Sequence, residues 1–130
     1  MNLFIKVFFF VLFYSFSSDS KNIYGQGAVL RILNKITAEK FFYTVPLSQK
    51  LDLDNCEIFI YYCNKIEKDG VPDEIALIKH KTKTRNDDRD FLGWIFKSSK
   101  YLNMPTNTIY DIKLEECLLQ DPLFLKERRY

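Results

Sequence analysis

Few side chains in this sequence could do chemistry, and none stands in a catalytic motif. The chain has three cysteines and one histidine, with no CxxC, HExxH, GxSxG or phosphate-loop pattern around them. His80 lies between Lys79 and Lys81, and this surrounding favours a solvated histidine over a metal ligand or a Cys–His nucleophile pair. The residues therefore predict no catalytic, metal or cofactor site.

Two pairs of adjacent carboxylates are the next candidates, because glycosidases place two carboxylates across the bond that they cleave. The pairs are Asp87–Asp88 and Glu115–Glu116. Adjacent residues of a strand point to opposite faces, so neither pair is expected to flank a substrate by itself. Solvent exposure is the preferred interpretation, and an envelope hydrolase whose carboxylates converge only in the fold is the alternative.

Aromatic residues near the second half of the chain could form a binding surface. Trp94, Tyr101 and Tyr110 could stack on sugar rings, although large aromatics at strand spacing more often belong to a core. The loop between the last two apolar runs is the predicted functional surface, and its segment 100–108 could also insert into an enzyme as an inhibitor does. The candidate binding residues are Trp94, Ser98, Ser99, Lys100, Tyr101 and Tyr110.

The composition limits the fold and the class of partner. A chain of 130 residues is expected to form one domain. Hydrophobic residues make up 47% and aromatic residues 16%, which excludes a disordered protein. The net charge is only +2, whereas a nucleic-acid reader normally has a strongly basic face. We therefore expect a folded domain that does not bind nucleic acid.

Residues 1–20 have the pattern of a signal peptide. Lys6 precedes an apolar run over residues 7–16, and Ser15 and Ser17 then provide small residues at the spacing that a signal peptidase accepts. We expect cleavage after Ser17 or Ser20. The apolar run is shorter than the roughly 20 residues of a membrane-spanning helix, so no spanning segment is expected after cleavage. Export would place the cysteines in an oxidising compartment, where pairing is the default.

Short alternating apolar runs predict strands throughout the rest of the chain. The runs cover residues 27–36, 40–45, 51–53, 56–66, 74–80, 91–96 and 109–114. Residues 56–66 are apolar on both faces and are the predicted central strand. The sequence thus predicts an all-β fold, a small antiparallel β-sandwich or barrel of six to seven short strands, over residues 27–117.

The segments around these runs are predicted to lie outside the β domain or at its surface. Residues 21–26 are expected to be a flexible lead-in, and residues 118–130 a C-terminal tail that forms a short docking helix or is frayed. Residues 67–72 are expected to form a loop. The charged stretch 79–90 is expected to be a solvated hairpin tip. Pro46 should end its strand, and Gly93 should allow a close approach by another element.

An ordered set of short motifs resembles a known family, the domain of unknown function 2155. The motifs are Gly27–Arg31, Asn34–Thr37, Val45–Pro46, Cys63, Gly93–Phe96, Ser98–Ser99, Tyr110–Asp111 and Cys117. That family consists of small exported proteins, chiefly of alphaproteobacteria, with no established activity. The resemblance implies a periplasmic or envelope location and supplies no catalytic residues.

The resemblance also implies a disulfide between Cys63 and Cys117, because both cysteines fall at matched family positions. Cys56 falls where relatives have an aliphatic residue, so it is expected to be a buried free thiol. Three reduced thiols are one alternative. A Cys56–Cys63 bond is another, but seven positions of an extended strand span about 23 Å, so it would require a break in the strand.

These observations lead to one functional expectation and two alternatives. We expect a non-catalytic binding or structural module of the periplasm, whose partner is an envelope protein or a cell-wall glycan. The alternatives are the envelope hydrolase and the inhibitor of a periplasmic enzyme. A pocket with two carboxylates, one of raised pKa, would favour the hydrolase. An exposed aromatic strip would favour the binding module.

Overall fold

The computed structural model of the protein describes residues 21–83, 89–99 and 104–129. The predicted signal peptide, the pair Asp87–Asp88 and the candidate residues Lys100 and Tyr101 lie outside these ranges. All regular structure within them is β-strand, which confirms the predicted all-β class. No helix in the described part of the chain is long and apolar enough to cross a membrane.

Nine strands run through the described residues, and seven of them overlap the predicted apolar runs. They are β1 (Lys21–Tyr24), β2 (Gly27–Asn34), β3 (Lys40–Pro46), β4 (Lys50–Asp52), β5 (Cys56–Lys68), β6 (Val71–Thr82), β7 (Phe91–Phe96), β8 (Tyr110–Leu118) and β9 (Lys126–Arg129).

The strands form two antiparallel sheets with the core between them, which makes the fold a sandwich. Sheet A has the order β1-β5-β6-β7, and β4 pairs with the same central strand β5. Sheet B has the order β8-β2-β3-β9. The predicted central position of residues 56–66 is therefore correct. The buried apolar side chains of the two inner faces include Leu30, Ile32, Ile58, Ile78 and Ile112.

Two strands lie in segments where the sequence predicted none. The lead-in contains β1, which pairs with residues 64–67 of β5. The C-terminal tail contains β9, which pairs with β3 and is neither a helix nor frayed. Its sequence, KERR, has no apolar alternation to signal a strand. The edge of β3 supplies the hydrogen-bonding partner, and Arg128 and Arg129 lie 5.1 and 5.5 Å from the ring centroids of Phe42 and Phe41.

The turn between β5 and β6 is tighter than predicted. Asp69 and Gly70 both have positive φ, at 54° and 77°, and they form a two-residue hairpin turn. The ladder continues to Lys68 and resumes at Val71. The predicted loop over residues 67–72 is therefore wrong at both ends. Pro46 is the last residue of β3 and pairs with Gly27, in agreement with its predicted role as a strand end.

A β-bulge in β5 changes which side chains face the core. The register shifts between Ile60 and Tyr62, so Tyr61 is the extra residue. Simple alternation placed Tyr62 with Ile58 and Ile60, but Tyr62 is exposed and Cys63 is buried. The bulge therefore turns two tyrosines outward and Cys63 inward.

A disulfide between Cys63 of β5 and Cys117 of β8 joins the two sheets, in agreement with the pairing that the resemblance implied. The Cα atoms are 5.4 Å apart, and Cys56 is a buried free cysteine. The chain crosses from sheet A to sheet B beside this bond. There the amide of Gly25 donates to the Cys63 carbonyl and that of Gln26 donates to the Leu118 carbonyl, both at 2.7 Å. A Cβ at Gly25 would lie 2.4 Å from the Cys63 oxygen, so only glycine fits this crossing.

Candidate functional site

The outer face of sheet A carries a row of large side chains across three strands. Tyr62 of β5 pairs with Leu77 of β6, and Leu77 pairs with Trp94 of β7. The rings of Tyr62 and Trp94 stack, with centroids 6.3 Å apart and planes 19° from parallel. Tyr62 is 53% exposed and Trp94 37% exposed. This stack is therefore open to solvent, and it spans the outer face of sheet A from β5 to β7.

Neighbouring rows extend this surface. Ile75 pairs with Phe96 on one side of the stack, and Leu92 lies two residues before Trp94 on the other side, with 65% of its surface exposed. Tyr24 on β1 is 68% exposed and pairs with Asn64, whose other partner is Ile75. We name this surface the aromatic face, and it consists of Tyr24, Tyr62, Ile75, Leu77, Leu92, Trp94 and Phe96.

Two local features of the sequence build the aromatic face. The bulge at Tyr61 presents Tyr62 to solvent. Gly93 leaves space for the ring of Phe91, since a Cβ at Gly93 would lie 2.8 Å from the Phe91 ring. The predicted close approach at Gly93 is thus made by a side chain of the same strand. Phe91 packs against the core, and Trp94 is left on the opposite face of β7.

The predicted binding residues do not form one surface. Tyr110 lies in the core with 8% exposure, and its hydroxyl is 3.4 Å from Oδ2 of Asp54. Burial raises the pKa of Tyr110, and the nearby Asp54 carboxylate raises it further. The ring partner of Trp94 is Tyr62, which the sequence analysis missed because the bulge is not visible in the alternation. Tyr110 therefore belongs to the core, as the preferred interpretation of large aromatics at strand spacing predicted, and Tyr101 lies outside the described residues.

The serines after β7 have a structural partner. Ser98 donates from its hydroxyl to Oδ2 of Asp73 at 2.6 Å and from its amide to Oδ1 at 3.2 Å. Ser99 is half-buried. These contacts hold the beginning of the loop against β6. Ser98 lies beside the end of the aromatic face, with its hydroxyl bonded to Asp73.

His80 is fully buried, and the predicted solvated position is wrong. Strand alternation places it on the inner face of β6 with Ile78, despite the lysine on either side. Its Nδ1 lies 3.3 Å from the Arg89 carbonyl oxygen, and its Nε2 lies 3.1 Å from Nδ2 of Asn107. The carbonyl can only accept a hydrogen bond, so Nδ1 carries the proton and Nε2 accepts from Asn107.

Asn107 connects this histidine to a buried polar cluster. Its side-chain amide exchanges two hydrogen bonds of 3.0 Å with Asn55, and its Nδ2 lies 3.4 Å from Sγ of Cys56. Its Oδ1 also accepts from the amides of Ile109 and Tyr110 at 2.9 Å. The cluster thereby fixes the end of the loop where β8 begins.

Cys56, His80 and Asn107 are residue types that cysteine nucleophile sites use, but their arrangement differs from such a site. The nucleophile needs a direct hydrogen bond to the histidine and access for substrate. Here the Asn107 amide lies within hydrogen-bonding distance of both the thiol and the imidazole, and the Cys56 and His80 side chains have no exposed surface. The geometry fits a structural fastening of the loop.

A groove of about 590 Å³ opens where sheet A extends past sheet B. Its lining includes the carboxylates Glu67, Asp73 and Glu74. Glu74 accepts a hydrogen bond of 2.9 Å from the Cys117 amide and forms ion pairs with Lys97 at 3.0 Å and Lys65 at 3.5 Å.

The electrostatics of Glu74 are opposite to those of a general acid. Burial opposes its ionisation, but the Cys117 amide and the Lys97 and Lys65 ammonium groups outweigh burial and hold its pKa below the ordinary value. The Glu74 carboxylate in turn raises the pKa of Lys97. Glu74 is therefore a fixed anion that binds the two sheets together beside the disulfide.

A second groove, of about 490 Å³, lies on the outer face of sheet B. Glu115 and Glu116 both line it, together with Arg31 and Arg128. Strand alternation predicted that the two adjacent carboxylates would lie on opposite faces. The register shift opposite Val29 and Leu30 leaves Glu115 as an extra residue of β8, so Glu115 and Glu116 both line one groove. In the described ranges no three potential ligands are grouped as a metal site requires.

These features define the class of the protein as a disulfide-closed antiparallel β-sandwich with an exposed aromatic face. The chain belongs to the family of uncharacterised proteins conserved in bacteria known as DUF2155, whose model matches residues 28–117. The match confirms the family to which the sequence motifs pointed, and it includes Tyr62, Trp94 and both cysteines of the disulfide. No curated protein and no solved structure matches the chain.

Proposed function

We propose that the protein is a non-catalytic binding module of the bacterial cell envelope that holds another protein on its aromatic face. The observation that carries this proposal is the solvent-exposed stack of Tyr62 on Trp94 on the outer face of sheet A. Tyr and Trp are enriched among the residues that dominate binding energy at protein interfaces, and a contiguous apolar patch on a small domain commonly marks an interaction site.

The surroundings of the stack favour a protein partner over a glycan. Sugar hydroxyl groups lose hydrogen bonds to water on binding and need polar partners in exchange. The rows beside the stack instead offer mainly Ile75, Leu92 and Phe96, with Asn64 buried in one row and Lys79 adding an ammonium group to the other. Such a mixture of aromatic and aliphatic side chains matches the apolar centre of a protein–protein interface.

Two observations support a role without catalysis. The carboxylate of the larger groove, Glu74, is held ionised by its partners, whereas a hydrolase needs one carboxylic acid of raised pKa. The thiol of Cys56 is buried in the polar cluster and is not placed to meet a substrate. The hydrolase and the enzyme inhibitor stay as alternatives.

Export to the periplasm is part of the proposal. It is supported by the apolar run over residues 7–16 and by the Cys63–Cys117 disulfide, which is stable in an oxidising compartment. We expect the protein in the periplasmic fraction, with an intact mass that corresponds to cleavage after Ser17 or Ser20. A full-length, reduced protein in the cytosol would contradict this part of the proposal.

A double substitution, Tyr62→Ser with Trp94→Ser, tests the binding role. We expect retention of envelope proteins on the immobilised protein to fall about 30-fold, because interface hot spots contribute about 2 kcal/mol or more. Phe124→Ser is the matched control, since Phe124 is an aromatic residue with 69% exposure outside the aromatic face. Equal retention by both variants would overturn the proposal. Retention that muramidase abolishes would indicate a glycan partner.

A further inference from the structure

The edges of the two sheets differ in how well they are guarded against strand addition. An open edge exposes unpaired backbone groups, and native proteins protect such edges with short strands, charges or bulges. In sheet A the shared β1 and β4 edge is divided between strands of four and three residues. In sheet B, β8 carries a bulge and alternating charges, and every residue of β9 is charged. Three edges are therefore protected.

The remaining edge, β7, has none of these protections. Its six residues, FLGWIF, include no charge and no proline. Within the described ranges it pairs with β6 alone. The amide of Lys97 donates to the Glu74 carbonyl, and hydrogen-bonded pairs alternate along an antiparallel ladder. The amide and carbonyl groups of Leu92, Trp94 and Phe96 therefore point away from β6, toward the open edge.

This open edge is continuous with the aromatic face. Leu92, Trp94 and Phe96 supply both the free backbone groups and the outward side chains of the aromatic face at that border. A strand added beside β7 would gain backbone hydrogen bonds and place alternate side chains next to Trp94. Recognition of an extended peptide commonly combines these two contributions.

We propose that β7 receives an extended segment of the partner protein as an added strand of sheet A. The segment has apolar side chains at alternate positions, which pack against Leu92 and Trp94, and an acidic residue at the end that lies beside Lys79 and Arg89. This inference rests on the proposed binding function and specifies how the partner is held.

An acidic residue at one end follows from the charges beside the beginning of β7. Arg89 precedes the strand and Lys79 lies beside Leu92 on the outer face, whereas Lys97 after the strand is already balanced by Glu74 and the Asp90 carboxylate accepts a hydrogen bond from the Thr82 amide. The ion pairs found among the described residues include neither Arg89 nor Lys79. A second copy of the chain is the competing occupant, because β7 of one copy can pair with β7 of another. The dependence of the protection on protein concentration distinguishes this occupant from a partner segment.

The test uses ¹⁵N-labelled protein, purified after expression of the full chain, and a synthetic nonapeptide of alternating Val and Thr with Asp at each end. We expect millimolar peptide to slow exchange of the Leu92, Trp94 and Phe96 amides at least fivefold. The Gly93 and Ile95 amides already bond to β6, so their exchange should change little.

Proline substitutions separate backbone addition from side-chain contact. Leu92→Pro removes one amide that faces the open edge and keeps the bonds to β6, so the variant should fold but lose peptide protection. Leu92→Thr is the comparison, because it shortens the same side chain and keeps the amide, so its loss of protection measures the side-chain contact alone and should be smaller than that of Leu92→Pro. Phe96→Pro repeats the test if Leu92→Pro disturbs the Gly93 and Ile95 amides.

Other outcomes would overturn the inference in distinguishable ways. Unchanged amide exchange, or protection of β1 or β8 instead, would exclude β7 as the receiving edge. Protection that appears without peptide and grows with protein concentration would identify a second copy as the occupant. If Leu92→Pro still retains envelope proteins that the Tyr62→Ser/Trp94→Ser variant loses, strand addition is wrong and the binding face stands. If both retain them, the proposed function itself fails.

Discussion

Glu74 is the residue at which charge, hydrogen bonding and sheet packing meet. It belongs to β6 of sheet A and accepts from the Cys117 amide of sheet B, while Lys97 and Lys65 balance its charge. A partly buried carboxylate held by an amide and two ammonium groups stabilises a fold only while it is ionised. The junction of the two sheets should therefore depend on pH.

The sign of this dependence follows from the lowered pKa. The folded state binds a proton at Glu74 less readily than the unfolded state, so ionised Glu74 stabilises the fold above its ordinary pKa of 4.5. This contribution is lost as the pH falls below that value. We expect Glu74→Gln to lower the free energy of unfolding by about 2 kcal/mol at pH 7, with a smaller difference in acid.

Urea unfolding at pH 7 and at a pH well below 4.5 measures this difference. Glu116→Gln is the control, because Glu116 is exposed and forms no ion pair among the described residues. Its substitution should change the free energy of unfolding by less than about 0.5 kcal/mol. A Glu74→Gln variant as stable as the original protein at pH 7 would show that this carboxylate does not stabilise the sheet junction.

Asn107 should be the most sensitive polar residue of the loop that leads to β8. Asn107→Ala removes the bonds to the Ile109 and Tyr110 amides and both bonds with the buried Asn55 amide. We expect a loss of about 3 kcal/mol in the free energy of unfolding, as buried polar groups become unsatisfied. Thermal unfolding of this variant beside the exposed neighbour Thr106→Ala is the measurement. Equal melting temperatures would contradict the role of Asn107.

For individual residues, the sequence predicted the disulfide partners better than it predicted which polar side chains are buried and what they contact. The disulfide partners follow from the family motifs, and Cys56 is buried as expected. The lysines on either side of His80 indicated a solvated side chain. Strand alternation alone would have predicted a buried side chain on the same face as Ile78. Asn107 could be recognised only in part, since an Asn before a strand signals a turn. Its contacts with Asn55 are 52 residues distant and leave no local signal.

Among the elements, β5 organises the sandwich. It pairs with β1 and β4 on one edge and with β6 on the other, and its bulge sends Cys63 toward sheet B. The same bulge exposes Tyr62 beside Trp94. One irregularity in one strand thus provides both the intersheet bond and half of the aromatic stack.

Removal of the disulfide tests this role of β5. The bond closes a loop with a sequence separation of 54 residues, for which the chain-entropy model gives about 4 kcal/mol of stabilisation. We expect Cys63→Ala with Cys117→Ala to lower the free energy of unfolding by about that amount in urea titrations. Cys56→Ala, which leaves the disulfide intact, is the comparison. A double variant as stable as the original protein would contradict a structural role for the bond.

Strands were predicted correctly where the apolar alternation is long. They were missed where only the pairing with a neighbouring strand makes the segment a strand. The run over residues 91–96 coincides with β7, and the central run coincides with most of β5. The short segments KNIY and KERR carry no apolar period, so β1 and β9 depend on the free edges of β5 and β3. The bulges in β5 and β8 are likewise irregularities in the pairing with neighbouring strands, so the apolar alternation of one strand could not locate them.

For the molecule as a whole, sheets A and B present different outer surfaces. Sheet B exposes charged side chains, including Arg31, Lys40, Glu116 and Arg128, around its groove. Sheet A exposes the aromatic face, which continues to the unprotected edge of β7. This asymmetry is the basis for placing the partner on sheet A.

Site-specific photo-crosslinking in living cells tests this placement most directly. A photoreactive phenylalanine analogue replaces Tyr62 in one strain and Phe124, which is more exposed, in another. We expect a protein adduct of discrete mass at Tyr62 that protease removes and muramidase does not. We expect no such adduct at Phe124. Equal adducts at both positions, or a glycan adduct at Tyr62, would contradict a protein-binding role for the aromatic face.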